Sequence, residues 1–290
     1  MEWALQQPAG AWAAVWLSVF HATLFVALIY AFMIVRPVAD VSIHSRNHPL
    51  IIRRRIWGVF AATTVSLAAT AYVLTNGSTA DPVVAQLGLR PAMAPGSAVV
   101  GAVLTLTLFM GPLVLDYLDG AFEWAAICAF LATLASSIQR QRDVLVGPVA
   151  EELVFRAAVV PVWLAAGISP PVCVFASPVL FGLAHIHQAF MRLSSGSHTV
   201  AQVLVSTAVQ LAYTTVFGWF AAALFVRTHS VAGPLVAHIV CNIQGFPDLS
   251  RANGYPRAKY AIWLAFVLGL LGFALLFEPM TRPGVFVVAI

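Results

Sequence analysis

The residues best suited to chemistry are two adjacent carboxylates and an arginine, Glu151, Glu152 and Arg156, in an apolar stretch near the middle of the chain. An ionisable group inside a bilayer costs about 2.5 kcal/mol or more unless it is paired or faces water. Glu152 and Arg156 are four residues apart and can pair on one helix face, whereas Glu151 is rotated by about 100°. We therefore expect a neutralising Glu152–Arg156 pair and a free Glu151 that acts as a general base. The alternative is an ion pair between helices without chemistry.

Two later motifs carry further hydrogen-bonding side chains in apolar surroundings. His185 ends the sequence Phe-Gly-Leu-Ala-His, and His187 lies two residues on, on the opposite side of a helix, so we favour His185 as the site residue. His238 and Asn242 share a helix face, and the Asn242 amide is suited to stabilising an oxyanion, a task worth about 3–4 kcal/mol per donor. The alternative for this pair is hydrogen bonding between helices, worth about 0.6–2 kcal/mol.

The composition determines the class of protein that must position these groups. The 290 residues are 61% hydrophobic and 9% charged, with a mean hydropathy of +0.90, whereas soluble domains carry about 25% charged residues. The apolar runs are continuous rather than alternating, which excludes a β-barrel. The net charge of +4 comes from loop arginines, so no nucleic-acid partner is expected.

Apolar windows of about 20 residues predict an all-α membrane bundle of about eight transmembrane helices. No repeat is present, so we expect one domain over residues 1–290, with a catalytic core at about 145–250. The predicted segments are 11–35, 57–75, 96–118, 148–166, 171–191, 199–226, 230–247 and 260–278, with a weaker apolar stretch at 121–136.

The basic residues between these segments predict their orientation. Arg46 and the cluster Arg53–Arg55 lie in the link between the first two segments, which we assign to the cytosol. With that orientation, the polar side chains of all three motifs lie toward the cytosolic leaflet, namely Glu151, Glu152, His185, His238 and Asn242. Polar groups far apart in sequence are thus expected to meet at one depth.

The available groups favour an activated water as the nucleophile. No serine or cysteine has a clear activating partner, and the His-Glu-x-x-His zinc motif is absent. Glutamate and histidine can bind zinc, so a metal stays chemically possible. We expect neither a metal nor another cofactor.

The ordered motifs Glu151-Glu152-x-x-x-Arg156, Phe181-x-x-x-His185 and His238-x-x-x-Asn242 resemble those of the type II CAAX prenyl endopeptidases. These Rce1-type intramembrane glutamate proteases belong to a wider group that includes bacteriocin-immunity proteins. The resemblance covers about residues 145–250, and finer features such as His-Ile-Val-Cys-Asn-Ile-Gln-Gly-Phe-Pro point to the eukaryotic branch.

The resemblance implies cleavage of a prenylated Cys-aliphatic-aliphatic-X terminus, which releases the last three residues. It further implies farnesylated or geranylgeranylated substrates such as small GTPases, contact with membrane lipid, and a place in the endoplasmic reticulum membrane with the active site open to the cytosol.

The resemblance also implies roles for the individual residues. Glu151 and His185 would hold and activate the water, and His238 and Asn242 would stabilise the oxyanion. Glu152, with the arginine of the first motif, would order the site or contact substrate, and no metal would be needed.

Three alternatives remain open: a non-catalytic membrane scaffold or chaperone of the same fold, a zinc-dependent intramembrane protease, and a proton-coupled transporter. A scaffold has no need for an oxyanion donor, and a transporter would be expected to show an internal repeat. Both considerations favour the enzyme.

Overall fold

A computed structural model describes residues 8–35, 46–77, 81–194, 196 and 198–282. Over these ranges the secondary structure is helical, without strands, as predicted. The α-helices are α1 Pro8–Val35, α2 Pro49–Asn76, α3 Val83–Gln86, α4 Ala94–Leu108, α5 Met110–Leu118, α6 Trp124–Ser136, α7 Ile138–Gln141, α8 Gly147–Glu152, α9 Val159–Ala165, α10 Pro170–Ala184, α11 His187–Ser194, α12 Val200–Thr228, α13 Ala232–Gln244 and α14 Lys259–Met280. Two π-helical segments, Arg142–Val146 and Leu153–Ala158, and two 3₁₀ segments, Pro91–Met93 and Leu249–Gly254, complete the set.

Six helical segments of the described chain are long and apolar enough to cross a membrane, so the protein is a multi-pass membrane protein. They are Gly10–Phe32, Pro49–Asn76, Val83–Leu108, Pro170–Ser194, Val200–Thr228 and Lys259–Met280. The predicted segments at 148–166 and 230–247 are also helical but differ in form. The first is divided into α8, a π-helical segment and α9, and the second is the 13-residue α13.

The second transmembrane helix begins earlier than the predicted segment at 57–75. Pro49 occupies the first turn of α2, where its missing N–H costs nothing, and the His48 ring accepts the Leu50 N–H at 3.3 Å. The cluster Arg53–Arg55 therefore lies within helix α2 rather than in the preceding loop. This places the arginine side chains on defined helix faces.

The π-helical segment Leu153–Ala158 forms the centre of the bundle. Residues 154–158 are at most 3% exposed, and the segment packs against α1, α2 and α9. A buried hydrogen-bond chain fixes its end: the Thr70 hydroxyl donates to the Ala158 carbonyl at 3.0 Å and also meets His21 Nε2 at 3.1 Å. π-Helical turns are uncommon and often occur at functional sites.

Helices α4 and α13 approach closely at two glycines. A Cβ atom at Gly101 would lie 2.2 Å from the Gly233 carbonyl oxygen, so no other residue fits without a shift. The Ser97 hydroxyl accepts the Gly233 N–H at 3.0 Å and contacts the Thr228 hydroxyl at 2.9 Å. This contact fixes the start of α13, the helix that carries His238 and Asn242.

Candidate active site

A buried ion-pair cluster lies where α8 meets α13. Glu152 and Arg156 are 0% and 1% exposed, and Arg156 Nη1 donates to Glu152 Oε1 at 2.8 Å, so the expected contact between these residues is present. His238 Nδ1 lies 2.7 Å from the same carboxylate oxygen. Because a carboxylate paired with Arg156 can only accept, Nδ1 is the donor in this bond. The arginine of the first motif and the histidine of the third motif thus share one carboxylate.

Aromatic rings surround Arg156 and His238. The Arg156 guanidinium carbon lies 4.7 Å from the centroid of the Phe181 ring and 5.6 Å from that of Phe217. The His238 ring centroid lies 4.7 Å from Phe217 and 6.2 Å from Phe181. Such faces attract a cation where water is excluded. Phe181 and Phe217 both lie in sequence motifs, but the motifs gave no role to either ring.

Glu151 occupies a different environment from its neighbour. Its side chain is 23% exposed, and its Oε2 atom lies 3.6 Å from His238 Nε2. That distance exceeds a normal hydrogen bond. His238 therefore stands between the two glutamates, bonded to Glu152 and facing Glu151.

His185 terminates α10, where the chain leaves the helix. Its Nδ1 atom lies 2.8 Å from the Phe181 carbonyl oxygen, and its ring stands edge-on to the Phe181 ring at 5.0 Å between centroids. A carbonyl can only accept, so Nδ1 carries the proton and Nε2 of the neutral ring is an acceptor. His187 Nδ1 is bonded in the same way to the Ala184 carbonyl at 2.6 Å, with the ring against Tyr30.

The amide of Asn242 joins α13 to the π-helical segment Arg142–Val146. Asn242 Nδ2 donates to the Asp143 carbonyl at 2.8 Å. The amide carries two N–H groups, so one remains for another acceptor. This bond fixes the orientation of the Asn242 side chain.

A cavity of about 1600 Å³ lies beside this cluster. Glu151, His185, His238 and Asn242, the four predicted catalytic residues, all contribute to its lining. Glu152 and Arg156 do not belong to the lining and lie behind it. The geometry therefore separates the adjacent glutamates into one that faces the cavity and one that is buried in an ion pair.

The cavity also has features that sequence analysis did not predict. Four arginines line it, namely Arg46, Arg55, Arg142 and Arg192, along with a long apolar part. In the sequence, Arg46 and Arg55 indicate only the orientation of the chain in the membrane. Both arginines lie in the basic region that the sequence assigns to the cytosolic side, toward which the motif residues are also placed. That shared side was a signal for a role in the site.

The described side chains form no cluster suited to a metal ion, since no group of three or more His, Cys, Asp or Glu among them is arranged to hold one. The three cysteines Cys128, Cys173 and Cys241 are free thiols.

Comparison with known proteins identifies relatives over most of the chain. The family model described as "Type II CAAX prenyl endopeptidase Rce1-like" matches residues 133–244. The chain is 30% identical over 258 residues to the "Probable CAAX prenyl protease 2" of Schizosaccharomyces pombe. The aligned region covers 89% of this chain and 90% of that relative. The chain is 32% identical over 279 residues to the Arabidopsis thaliana "CAAX prenyl protease 2" (89% and 87% covered) and 31% identical over 251 residues to the human one (83% and 75%). No solved structure matches the chain significantly. With the shared motifs lining one cavity, this similarity shows that the chain belongs to the type II CAAX prenyl endopeptidase family.

Proposed function

We propose that this chain is an intramembrane endopeptidase that removes the last three residues of prenylated proteins ending in Cys-aliphatic-aliphatic-X. The observation that carries the proposal is the meeting of Glu151, His185, His238 and Asn242, from three separate motifs, on one cavity. The names of the relatives from fungi, plants and animals support the same activity.

Glu151 and His185 are the residues we assign to the attacking water. Both line the cavity. The Glu151 carboxylate approaches His238 Nε2 only at 3.6 Å, whereas Glu152 is paired with Arg156 at 2.8 Å. The water donates one proton to Glu151 as its oxygen attacks the carbonyl carbon of the prenylated cysteine. Glu151 then delivers that proton to the departing amine.

His238 and Asn242 are the residues we assign to the oxyanion of the tetrahedral intermediate. In the imidazolium form, His238 donates to Glu152 through Nδ1 and retains an N–H on Nε2, which faces the cavity. The second N–H of Asn242 supplies another donor. Collapse of the intermediate breaks the C–N bond and yields a prenylcysteine carboxylate and a free tripeptide.

The apolar part of the cavity suits the isoprenoid. It is lined by Leu108, Phe109, Pro112, Phe266, Leu270, Phe273 and Phe277, contributed by α4, α5, α14 and the residue between α4 and α5. Burial of a lipid chain contributes about 0.8 kcal/mol per CH₂ group. Farnesyl and geranylgeranyl groups can therefore supply much of the binding energy for a short peptide tail.

We also propose a location in the endoplasmic reticulum membrane with the cavity open to the cytosol, where prenylated small GTPases would be substrates. Arg46, Arg142 and Arg192 support this orientation because all three line the same cavity and lie outside or at the ends of the spanning segments. Surrounding lipid would contact the apolar outer faces of the spanning helices.

A cleavage assay tests the proposal. A farnesylated peptide with a Cys-aliphatic-aliphatic-X end is incubated with wild type, Glu151→Ala and His238→Ala, and the released tripeptide is measured. Wild type should cleave it, and both variants should lose nearly all activity. Normal cleavage by both variants would overturn the assignment of the site.

A parallel measurement separates the alternatives. Activity that survives exhaustive chelation favours the glutamate mechanism, while loss on chelation and recovery with zinc would favour a zinc protease. A correctly folded wild type that binds the peptide without cleaving it would favour the non-catalytic scaffold.

A further inference from the structure

The cavity carries more positive charge than the proposed peptide hydrolysis requires. Among the described residues of its lining, four are arginines and two, Asp143 and Glu151, are carboxylates. Asp143 is paired with Arg142 at 2.8 Å. Glu151 is thus the remaining acidic group of this lining, beside Arg46, Arg55 and Arg192.

Arg142 fixes the loop that carries Arg46. Its Nη1 atom donates to the Arg46 carbonyl at 3.0 Å, and Nη2 donates to Asn47 Oδ1 at 3.3 Å. Arg142 belongs to the π-helical segment just before α8, the helix that carries Glu151. The Arg46 backbone is thereby tied to the segment that leads directly into the helix of the proposed general base.

Arg55 presents an unused donor. Its guanidinium carbon lies 5.6 Å from the centroid of the Tyr30 ring, and its Nε atom is buried without a hydrogen-bond partner among the described residues. A buried N–H without an acceptor is costly. No ion pair of the described residues involves Arg46 or Arg55. Both arginines line the same cavity.

We propose that Arg46 and Arg55 bind the C-terminal carboxylate of the substrate tail. This inference rests on the proposed function, because the proposed substrate ends in a free carboxylate three residues beyond the bond that is cut. A guanidinium matches a carboxylate through two parallel N–H groups, and an anion bound here would offset the positive charge of both arginines.

The reach of the tail fits this placement. Three extended residues span about 10 Å, so the carboxylate binds well away from the reacting carbonyl. Arg46 and Glu151 line the same cavity, so the arginine and the general base can contact one bound peptide. The arginines would thus set the distance from the chain end to the cleaved bond and reject longer tails.

The test compares two fluorescent farnesylated peptides that differ only in a terminal carboxylate or a terminal amide. Their dissociation constants are measured with wild type, Arg46→Gln, Arg55→Gln and Arg53→Gln in detergent. Arg53 is the matched control because it lies on the same helix, is exposed and does not line the cavity.

Wild type and Arg53→Gln should bind the carboxylate peptide about ten- to a hundredfold more tightly than the amide, the ratio expected for a charge-assisted hydrogen bond. Arg46→Gln and Arg55→Gln should bring the ratio toward one by weakening the carboxylate peptide alone. Arg55→Lys, which keeps the charge, should retain part of the preference.

Equal affinity of wild type for both peptides would overturn the inference, as would a preference that persists in both glutamine variants. Equal weakening of both peptides would also overturn it, and would indicate that the arginines hold a lipid phosphate instead. Binding does not depend on cleavage, so a wild type that prefers the carboxylate but never cleaves would refute the proposed function and leave this site standing.

Discussion

His238 Nδ1 lies 2.7 Å from Glu152 Oε1, while Nε2 of the same ring lies 3.6 Å from Glu151 Oε2. One imidazole thus separates two carboxylates that are adjacent in sequence. Glu152 is fully buried and shared with Arg156, whereas Glu151 is partly exposed on the cavity. We therefore expect substitution of Glu151 to affect mainly catalysis and substitution of Glu152 to affect mainly stability.

Glu151→Gln and Glu152→Ala should separate catalysis from stability. Glu151→Gln should abolish peptide cleavage with little change in thermal stability, because no buried partner is left unpaired. Glu152→Ala should destabilise the protein by about 3–5 kcal/mol, because Arg156 and His238 lose their shared acceptor in a buried site. Thermal unfolding in detergent and tripeptide release measure the two effects. A stable Glu152→Ala variant would contradict this division.

The Glu152–Arg156 pair should show strong coupling in a double-mutant cycle. Arg156→Met alone leaves a buried carboxylate, and Glu152→Gln alone leaves a buried guanidinium, so each should lower stability. The double variant should be more stable than the sum of the single effects predicts, by about 1–3 kcal/mol. Unfolding free energies of the four proteins give the coupling. Additive effects would show that the pair contributes no specific interaction.

Asn242→Ala should lower kcat by about 10²–10³-fold with a smaller change in KM, as expected for loss of an oxyanion donor. The lost bond to the Asp143 carbonyl should cost about 1 kcal/mol of stability. Steady-state kinetics and thermal unfolding are measured on the same preparation. If stability fell and kcat did not, the amide would serve only to join α13 to the π-helical segment.

Gly101→Ala should disturb the site from a distance. The added Cβ would lie 2.2 Å from the Gly233 carbonyl oxygen, so α4 and α13 must move apart, at a cost of about 1–3 kcal/mol. Because α13 carries His238 and Asn242, kcat should fall as well. Gly254→Ala is the control, since its Cβ would meet nothing within 4 Å. Equal thermal stability of the two variants would argue against the close contact.

An exposed cluster outside the spanning helices should show a pH dependence. Hydrogen bonds from Tyr255 and then Arg251 lower the pKa of Asp119. A lowered pKa in the folded state stabilises the protein above the unfolded pKa, near 3.9, and this contribution is lost as pH falls through the folded value. Wild type should therefore unfold at a higher temperature than Asp119→Asn at pH 7, and the difference should shrink in acid. A difference that grew in acid would contradict the assignment.

The sequence by itself determined the class of protein and the identity of the chemical groups. Long apolar runs leave no alternative to helices in lipid, because every backbone polar group must be satisfied internally. The four-residue spacing of Glu152 and Arg156 predicted their contact, since it depends only on local helix geometry. The three motifs likewise supplied four of the side chains that line the cavity, Glu151, His185, His238 and Asn242.

Only the tertiary structure decided how these groups are oriented. Two π-helical segments, before and after the helix of Glu151 and Glu152, change the direction in which the following side chains point around the helix axis. No local sequence pattern predicted these segments. The bond between His238 and Glu152 joins residues 86 positions apart and depends on how α8 packs on α13. Arg55 became part of the cavity because α2 begins at Pro49 and turns that side chain inward, a consequence of packing that its position in a basic cluster did not reveal.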